Sequence, residues 1–317
     1  MSDFVMSART VEGGAFGDEP DRTRYLLVPD DALPTPDHAE SQRAWADELV
    51  EEATVDEADG VRTGNILIFV HGFNNEPPVV MARHRRLKKD LGHLGYDGVV
   101  VSFDWPAGDL ALAYLEDRHD AVQTAMQLVT DGIALFCKYK TPECAINVHV
   151  LAHSMGAFVV REAFADADNS GGVIGASNWT ASQVVFIAAD VSMRSLGAQD
   201  HDAEALYRHA VRFTNYQNSH DEALALANVK RIGVAPRAGR HGLPGDAPLA
   251  AVNVNCSDYW KTIPKTRKIV DPERSHSWYF GDPVFMADFA ALLNGTDRAS
   301  IPTRAVDGPN RFTLERP

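Results

Sequence analysis

The feature that most constrains the fold is an alternation, beginning near residue 65, of short apolar runs with longer segments of helical composition. The apolar runs occupy 65–70, 98–106, 145–154, 183–190, 210–218 and 249–255. The helical segments occupy 77–95, 109–140, 155–168, 199–210, 220–228 and 282–293. Strands that are apolar throughout and are followed by helices are typical of a sheet covered on both faces. The sequence therefore predicts an α/β domain with a mostly parallel central sheet.

Composition and charge suggest how the chain is divided. With 317 residues, of which 45% are hydrophobic, the chain can bury a full core. Residues 1–60 include many acidic residues, and we expect them to form a solvated N-terminal extension in which 23–29 could add an edge strand. We expect residues 61–296 to form the α/β domain. Residues 297–317 are expected to form a C-terminal tail. The formal charge of −14 argues against a nucleic-acid partner, which would need clustered basic residues.

Several classes of protein find no support in the sequence. No apolar run approaches the ~20 residues that span a bilayer, and the first residues lack the pattern of a signal peptide, so we expect a cytoplasmic protein. The odd count of three cysteines indicates reduced, structural thiols. Without a glycine-rich phosphate loop or a His-Glu-x-x-His motif, we expect no cofactor and no metal, and we interpret the histidines and acids of 201–209 as an exposed helix.

The segment Ala152-His153-Ser154-Met155-Gly156 stands between a predicted strand and a predicted helix. A serine at such a sharp turn can act as a nucleophile, provided that the residues two before and two after it are small. Ala152 and Gly156 meet this condition, although Ala152 adds one methyl group to the usual glycine. The alternative interpretation is a serine that only caps the helix N-terminus.

A His-Gly motif follows the strand at 65–70, in the segment Phe-Val-His-Gly-Phe-Asn-Asn. Acyl transfer requires N–H donors for the oxyanion, and in chains with this serine turn one donor follows the serine while another comes from a loop of this kind. We therefore predict an oxyanion hole formed by the N–H groups of Phe73 and Met155. Gly72 keeps the backbone accessible, and His71 organises the loop.

A nucleophilic serine also needs a base and an acid, which should follow it in chain order at the ends of later strands. His276 follows the last predicted strand and precedes the last helix, which favours it as the base. Two acids lie between the serine and this histidine at strand ends, Asp190 and Asp221. We favour Asp221, because it follows the strand nearer the histidine, and keep Asp190 as the alternative.

With these motifs in the same order, the chain resembles the α/β-hydrolase superfamily, and more narrowly a family of uncharacterised bacterial α/β hydrolases that includes esterase- and lipase-like members. The matching segments are VHGFNN, VVVSFDWPAG, AYLEDRHDA, VHVLAHSMG, VVFIAADVS, NYQNSHDEALALA and SHSWYF, between about 65 and 280. The resemblance implies the α/β-hydrolase fold, a Ser154–Asp221–His276 triad, and hydrolysis of a carboxylic ester or thioester without a cofactor.

The expected partner is a small-molecule ester, and weaker candidates for binding it are Gly72, Trp105 and His153. Trp105 either lines the pocket at the end of its strand or fills the sheet edge. The long segments 228–248 and 256–275 are candidate lids. Alternatives to an esterase are an amidase, lactonase or acyltransferase with the same triad, or a binding protein that has this fold without turnover.

Overall fold

The computed structural model describes residues 2–58, 60–73, 75–107, 114–170, 178–229, 236–265 and 274–317. Within these residues twelve strands form one sheet, in the order β11-β12-β10-β9-β8-β7-β5-β6-β1-β2-β3, with β4 paired to β5. The strands are β1 (Ser2–Glu12), β2 (Ala15–Pro29), β3 (Ala39–Glu40), β4 (Thr54–Asp56), β5 (Arg62–Val70), β6 (Val99–Asp104), β7 (Cys144–His153), β8 (Ala181–Ile187), β9 (Ala210–Gln217), β10 (Ala251–Asn255), β11 (Arg304–Val306) and β12 (Arg311–Leu314).

The pairs from β1 through β6, β5, β7, β8, β9 and β10 to β12 are all parallel. The helices are α1 (Gln42–Ala53), α2 (Pro77–His93), α3 (Tyr114–Gln127), α4 (Ala134–Cys137), α5 (Gly156–Asn169), α6 (His201–His209), α7 (Glu222–Val229), α8 (Ala238–His241), α9 (Ser257–Thr262), α10 (Arg274–Ser277) and α11 (Pro283–Leu293). A π-helical turn, Leu128–Ile133, joins α3 to α4. This architecture confirms the predicted α/β class and the mostly parallel sheet.

The core has two layers because successive side chains of a strand point to opposite faces of the sheet. In β5, Ile66 and Ile68 pack in one apolar cluster, together with residues of α1 and α5. The intervening Leu67 and Phe69 pack in the other, together with residues of α2 and α11. Burial on both faces explains why these strands are apolar throughout.

The N-terminal region lies inside the domain, whereas the sequence predicted a solvated extension over residues 1–60. β1 pairs with β6 on one side and with β2 on the other, so it is an interior strand of the sheet. Two of its three charged side chains are buried: Asp3 and Arg9 form ion pairs with residues of α2 and β6. Residues that look like a polar arm in the sequence therefore form part of the core.

The C-terminal segment 297–317, predicted as a tail, also belongs to the sheet. β12 runs parallel to β10, and β11 closes the edge antiparallel to β12. Phe312 and Leu314 of β12 are buried in the same cluster as α11. Among the described residues, no helix has both the length and the apolar character needed to cross a membrane.

Candidate active site

Ser154 occupies the sharp turn between β7 and α5. Its φ of 57° lies in the left-handed region, which residues other than glycine seldom adopt. Neighbouring backbone holds the turn: the N–H of Ser154 donates to the carbonyl of Ile187 at 3.1 Å, and the N–H of Asp190 donates to the carbonyl of Ser154 at 3.0 Å. Strain of this kind, fixed from outside, is common at functional sites. Ser154 is 8% exposed, so the turn leaves part of it accessible.

Two glycines allow the serine turn and the His-Gly loop to pack against each other. A Cβ atom at Gly156 would lie 2.5 Å from the carbonyl oxygens of both Val70 and His71. A Cβ atom at Gly72 would lie 2.7 Å from the Cβ of Ser154. The small residues on both segments therefore let the loop that carries Phe73 lie directly beside the serine.

His276 and Asp221 come together although 55 residues separate them in the chain. The Nδ1 atom of His276, in α10, lies 2.7 Å from Oδ2 of Asp221, and both side chains are buried. The other carboxylate oxygen of Asp221 accepts from the N–H of Leu224 at 2.9 Å. Asn218 and Ser275 join the two loops, since the amide of Asn218 donates to the carbonyl of Ser275 at 3.2 Å. The imidazole is thus held by a buried carboxylate.

Asp190, the alternative acid, has a different partner. Its Oδ1 lies 2.9 Å from Nε of Arg237, and both side chains are almost fully buried. Its backbone N–H supports the carbonyl of Ser154. The geometry therefore gives Asp190 a structural contact beside the serine, and gives Asp221 the contact with the histidine.

His153, predicted as a weaker candidate for binding substrate, is buried beside the site. The ring is buried, with Nδ1 at 3.3 Å from a guanidinium nitrogen of Arg83 and Nε2 at 3.2 Å from the carbonyl oxygen of His276. Burial, then the charge of Arg83, lowers the pKa of His153 well below 6.5, so the ring is neutral. Arg83 also donates to the hydroxyl of Ser277 at 3.1 Å. Arg83 and His153 together connect α2 and the serine turn to the loop of His276.

Trp105 is likewise buried, which favours the interpretation that it fills the sheet edge rather than lines a pocket. Its ring stacks on His71 with centroids 5.5 Å apart, and its Nε1 donates to the carbonyl of His71 at 2.9 Å. His71 is buried beneath the loop, with Nδ1 at 2.9 Å from the carbonyl of Gly72 and Nε2 at 3.2 Å from Asp104. Both rings therefore contact the backbone of the His-Gly loop.

Sequence reasoning missed three residues that contact the site's supports: Arg9, Arg83 and Asn75. Arg9 reaches Asp104 from β1, Arg83 reaches His153 from α2, and Asn75 donates to the carbonyl of Gly72 at 2.8 Å. Asn75 follows the His-Gly motif closely enough to have been suspected. Arg9 and Arg83 belong to segments that look like ordinary polar surface, so the sequence carried no signal for them.

The predicted lids fall partly on residues 230–235 and 266–273, which lie outside the described part of the chain.

A cavity of about 280 Å³ opens at the opposite end of the strands, and its lining includes Gln183, Arg212 and Arg298. Its position separates it from Ser154. Within the described ranges, no group of three or more His, Cys, Asp or Glu side chains could hold a metal ion.

A family model described as "Alpha/beta hydrolase of unknown function (DUF900)" matches residues 48–241, more than half of the chain. The chain belongs to this family of α/β hydrolases. The match includes the His-Gly loop, Ser154 and Asp221, but ends before His276. In this α/β hydrolase the assignment of the histidine therefore depends on its contact with Asp221.

No curated protein matches the sequence of this α/β hydrolase. Among solved structures, esterase B from Lactobacillus rhamnosis is 11% identical, with 73% of this chain and 77% of that chain covered and a TM-score of 0.36. Aspergillus fumigatus lipase B is 14% identical, with 96% and 64% covered and a TM-score of 0.40. Phospholipase PlaB from Legionella pneumophila is 14% identical, with 56% and 44% covered and a TM-score of 0.33. The chain thus spans less than half of that phospholipase, and likeness at this level carries no inference about activity.

Proposed function

We propose that this α/β hydrolase is a serine hydrolase that cleaves carboxylic esters or thioesters through an acyl-enzyme on Ser154. The observation that carries the proposal is the 2.7 Å contact between His276 Nδ1 and the buried Asp221, on the loops that follow β10 and β9. A proton on Nδ1 is donated to the carboxylate, which leaves the lone pair on Nε2 to act as the base. The strained turn at Ser154 supports the same interpretation.

In the proposed mechanism, Ser154 Oγ attacks the carbonyl carbon while its proton passes to Nε2 of His276. Asp221 stabilises the resulting imidazolium, and the N–H groups of Phe73 and Met155 hold the oxyanion. The carbon–oxygen or carbon–sulfur bond of the leaving group then breaks, and the leaving group takes the proton from His276. Water, activated by the same histidine, attacks the acyl carbon and releases the acid with regeneration of Ser154.

A fluorophosphonate probe followed by intact-mass analysis tests the nucleophile. We expect one adduct on the wild type and none on Ser154→Ala. The chain offers an internal control, because Ser102 is 2.8 Å from His84, which is 3.4 Å from Asp3, and all three are buried. This second set has the residue types of a triad without access to solvent. An unlabelled wild type, or an adduct that persists in Ser154→Ala, contradicts the proposal.

Paired substitutions distinguish the two acids. We expect Asp221→Asn to lower kcat by about 10³–10⁴, because an amide in place of the carboxylate no longer favours the tautomer needed for proton transfer. Asp190→Asn breaks a buried ion pair instead, which costs about 3–5 kcal/mol of folding stability. The folded fraction of that variant should keep a kcat within about tenfold of the wild type. A larger loss of kcat in Asp190→Asn would reverse the assignment.

A panel of substrates tests the class of bond. Esters and thioesters should be hydrolysed faster than the corresponding amides or lactones. Their hydrolysis should also be faster than transfer of the same acyl group to an added acceptor. An amide that is cleaved faster than its ester would identify an amidase on the same triad. A labelled serine without turnover of any substrate would favour a binding protein with this fold.

A further inference from the structure

The carbonyl of Gly72 is held by two side chains. His71 Nδ1 lies 2.9 Å from it, and the side-chain amide of Asn75 donates to it at 2.8 Å. This carbonyl and the N–H of Phe73 belong to one planar peptide, in which the two bonds point in opposite directions. Donors that fix the carbonyl therefore also fix the direction of the Phe73 N–H, and they polarise it as a donor.

The second nitrogen of His71 contacts a buried carboxylate. Nε2 is 3.2 Å from Oδ1 of Asp104, at the end of β6. Burial alone would raise the pKa of Asp104, but the charge of Arg9 and the contact with His71 outweigh it and lower the pKa to about 2. Both ring nitrogens of His71 thus face oxygen acceptors, the carbonyl of Gly72 and the carboxylate of Asp104, and the negative charge of Asp104 favours the form of the ring that has a proton on each nitrogen.

Asp104 is held in turn by β1. Nε of Arg9 lies 3.0 Å from both carboxylate oxygens, and the hydroxyl of Ser7 donates to Oδ2 at 3.1 Å. Another guanidinium nitrogen of Arg9 donates to the carbonyl of Trp105 at 3.2 Å. Arg9 is 2% exposed, so water does not compete for these contacts. A continuous set of buried contacts thus runs from β1 to the Gly72–Phe73 peptide.

We propose that Arg9 and Asp104, acting through His71, are positioning residues for the oxyanion hole, and that β1 is therefore part of the catalytic apparatus. The proposal rests on the proposed serine-hydrolase function. Arg9 lies outside the segment 48–241 that matches the family model. The chain therefore completes its oxyanion loop with a strand that this model does not include.

The test compares Arg9→Met with Asp3→Asn, a matched control on the same strand. Asp3 is also a buried ion-pair residue, 2.7 Å from Arg85 and 3.2 Å from Lys88, but its partners lie on α2 rather than on the loop. For each variant, kcat and KM are measured with a p-nitrophenyl ester. The inhibition constant of a trifluoromethyl ketone, whose adduct carries the oxyanion, is measured in parallel.

We expect Arg9→Met to lower kcat by about 10–100-fold and to raise the inhibition constant of the ketone by a similar factor. This effect is no larger than that of losing a whole oxyanion donor. KM should stay within about threefold, because substrate binding in the ground state does not use the oxyanion contacts. Arg9→Lys, which keeps a charge beside Asp104, should recover much of the loss. Asp3→Asn should keep kcat and ketone affinity within about twofold of the wild type once folded.

Equal kcat and equal ketone affinity in Arg9→Met and Asp3→Asn would overturn the proposal. If Arg9→Met does not fold, Ser7→Ala decides: it removes one donor to Asp104 while the ion pair with Arg9 stays in place, and it should lower kcat and ketone affinity together. Unchanged kcat and ketone affinity in Ser7→Ala would likewise overturn the proposal. Failure of the serine-hydrolase function itself would appear separately, as a wild type that a fluorophosphonate does not label.

Discussion

The strained turn at Ser154 predicts that alanine and glycine, which both remove the proposed nucleophile, will have different effects on stability. Ser154→Ala and Ser154→Gly both abolish the hydroxyl, but only glycine adopts a φ of 57° without a steric penalty. The surrounding backbone keeps this φ in either variant, because Ile187, Asp190 and Ala157 all hydrogen-bond to the peptide groups of residue 154. The comparison therefore isolates the conformational strain from the chemistry.

The magnitude follows from two opposing contributions. A non-glycine residue in the left-handed region costs about 1–2 kcal/mol. Glycine offsets part of this relief, because it loses about 0.5–1 kcal/mol more backbone entropy on folding than alanine does. We therefore expect Ser154→Gly to be more stable than Ser154→Ala by about 0.75 kcal/mol, the difference between the midpoints of these two ranges. For a chain of 317 residues this corresponds to a difference in Tm of only about 1 °C.

Equilibrium urea unfolding is the more sensitive assay for so small a difference. The midpoint should move to higher urea in Ser154→Gly while the slope of the free energy against urea stays the same in both variants. Both variants should be inactive toward esters and should fail to react with a fluorophosphonate. A Ser154→Gly variant no more stable than Ser154→Ala would refute the claim that the turn stores strain.

Other predictions concern the supports of the site. Gly156→Ala should lose about 1–3 kcal/mol in urea unfolding, since its Cβ meets two backbone carbonyls. Gly92→Ala, in open space on α2, should instead gain up to about 1 kcal/mol, and equal shifts in the two variants would contradict the packing argument. The lowered pKa of Asp104 stabilises the fold above about pH 4, and this contribution is lost as the pH falls toward 2. Acid unfolding of Asp104→Asn should lack that loss, on the order of 2 kcal/mol, and an unchanged acid profile would argue against a carboxylate whose pKa is lowered by Arg9 and His71.

The strands after residue 65 could be predicted because they are apolar on both faces, and the serine turn because small residues flank Ser154. β1 could not be predicted by the same reasoning. Its Asp3, Ser7 and Arg9 are polar but buried, so a pattern that assigns polar residues to solvent misreads them. Only their partners in α2 and β6 explain this burial, and those partners lie more than 80 positions along the chain.

The predicted site residues also differ in how far the sequence alone could identify them. Chain order reduced the acid to Asp190 or Asp221, since both follow strands that end at the same edge of the sheet. What separates them in the structure is Arg237, which lies 2.9 Å from Asp190 and whose segment shows no helical or strand pattern in the sequence. Chain order favoured Asp221, but the long-range contacts of the two acids, Asp190 with Arg237 and Asp221 with His276, could not be predicted from the sequence. The position of His153 beside the serine likewise does not reveal its contacts with Arg83 and with the carbonyl of His276.

The interior position of β1 has a consequence for how the chain folds. The hairpin of β1 and β2 can form locally, but the other edge of β1 must wait for β6, whose Val101 pairs with Phe4. Until then the hairpin presents an unpaired edge, the kind of surface on which chains aggregate. The charges of Asp3 and Arg9 on this strand oppose its pairing with other chains before β6 is in place. In the folded domain the same charges are paired, Arg9 with Asp104 of β6 and Asp3 with Arg85 of α2.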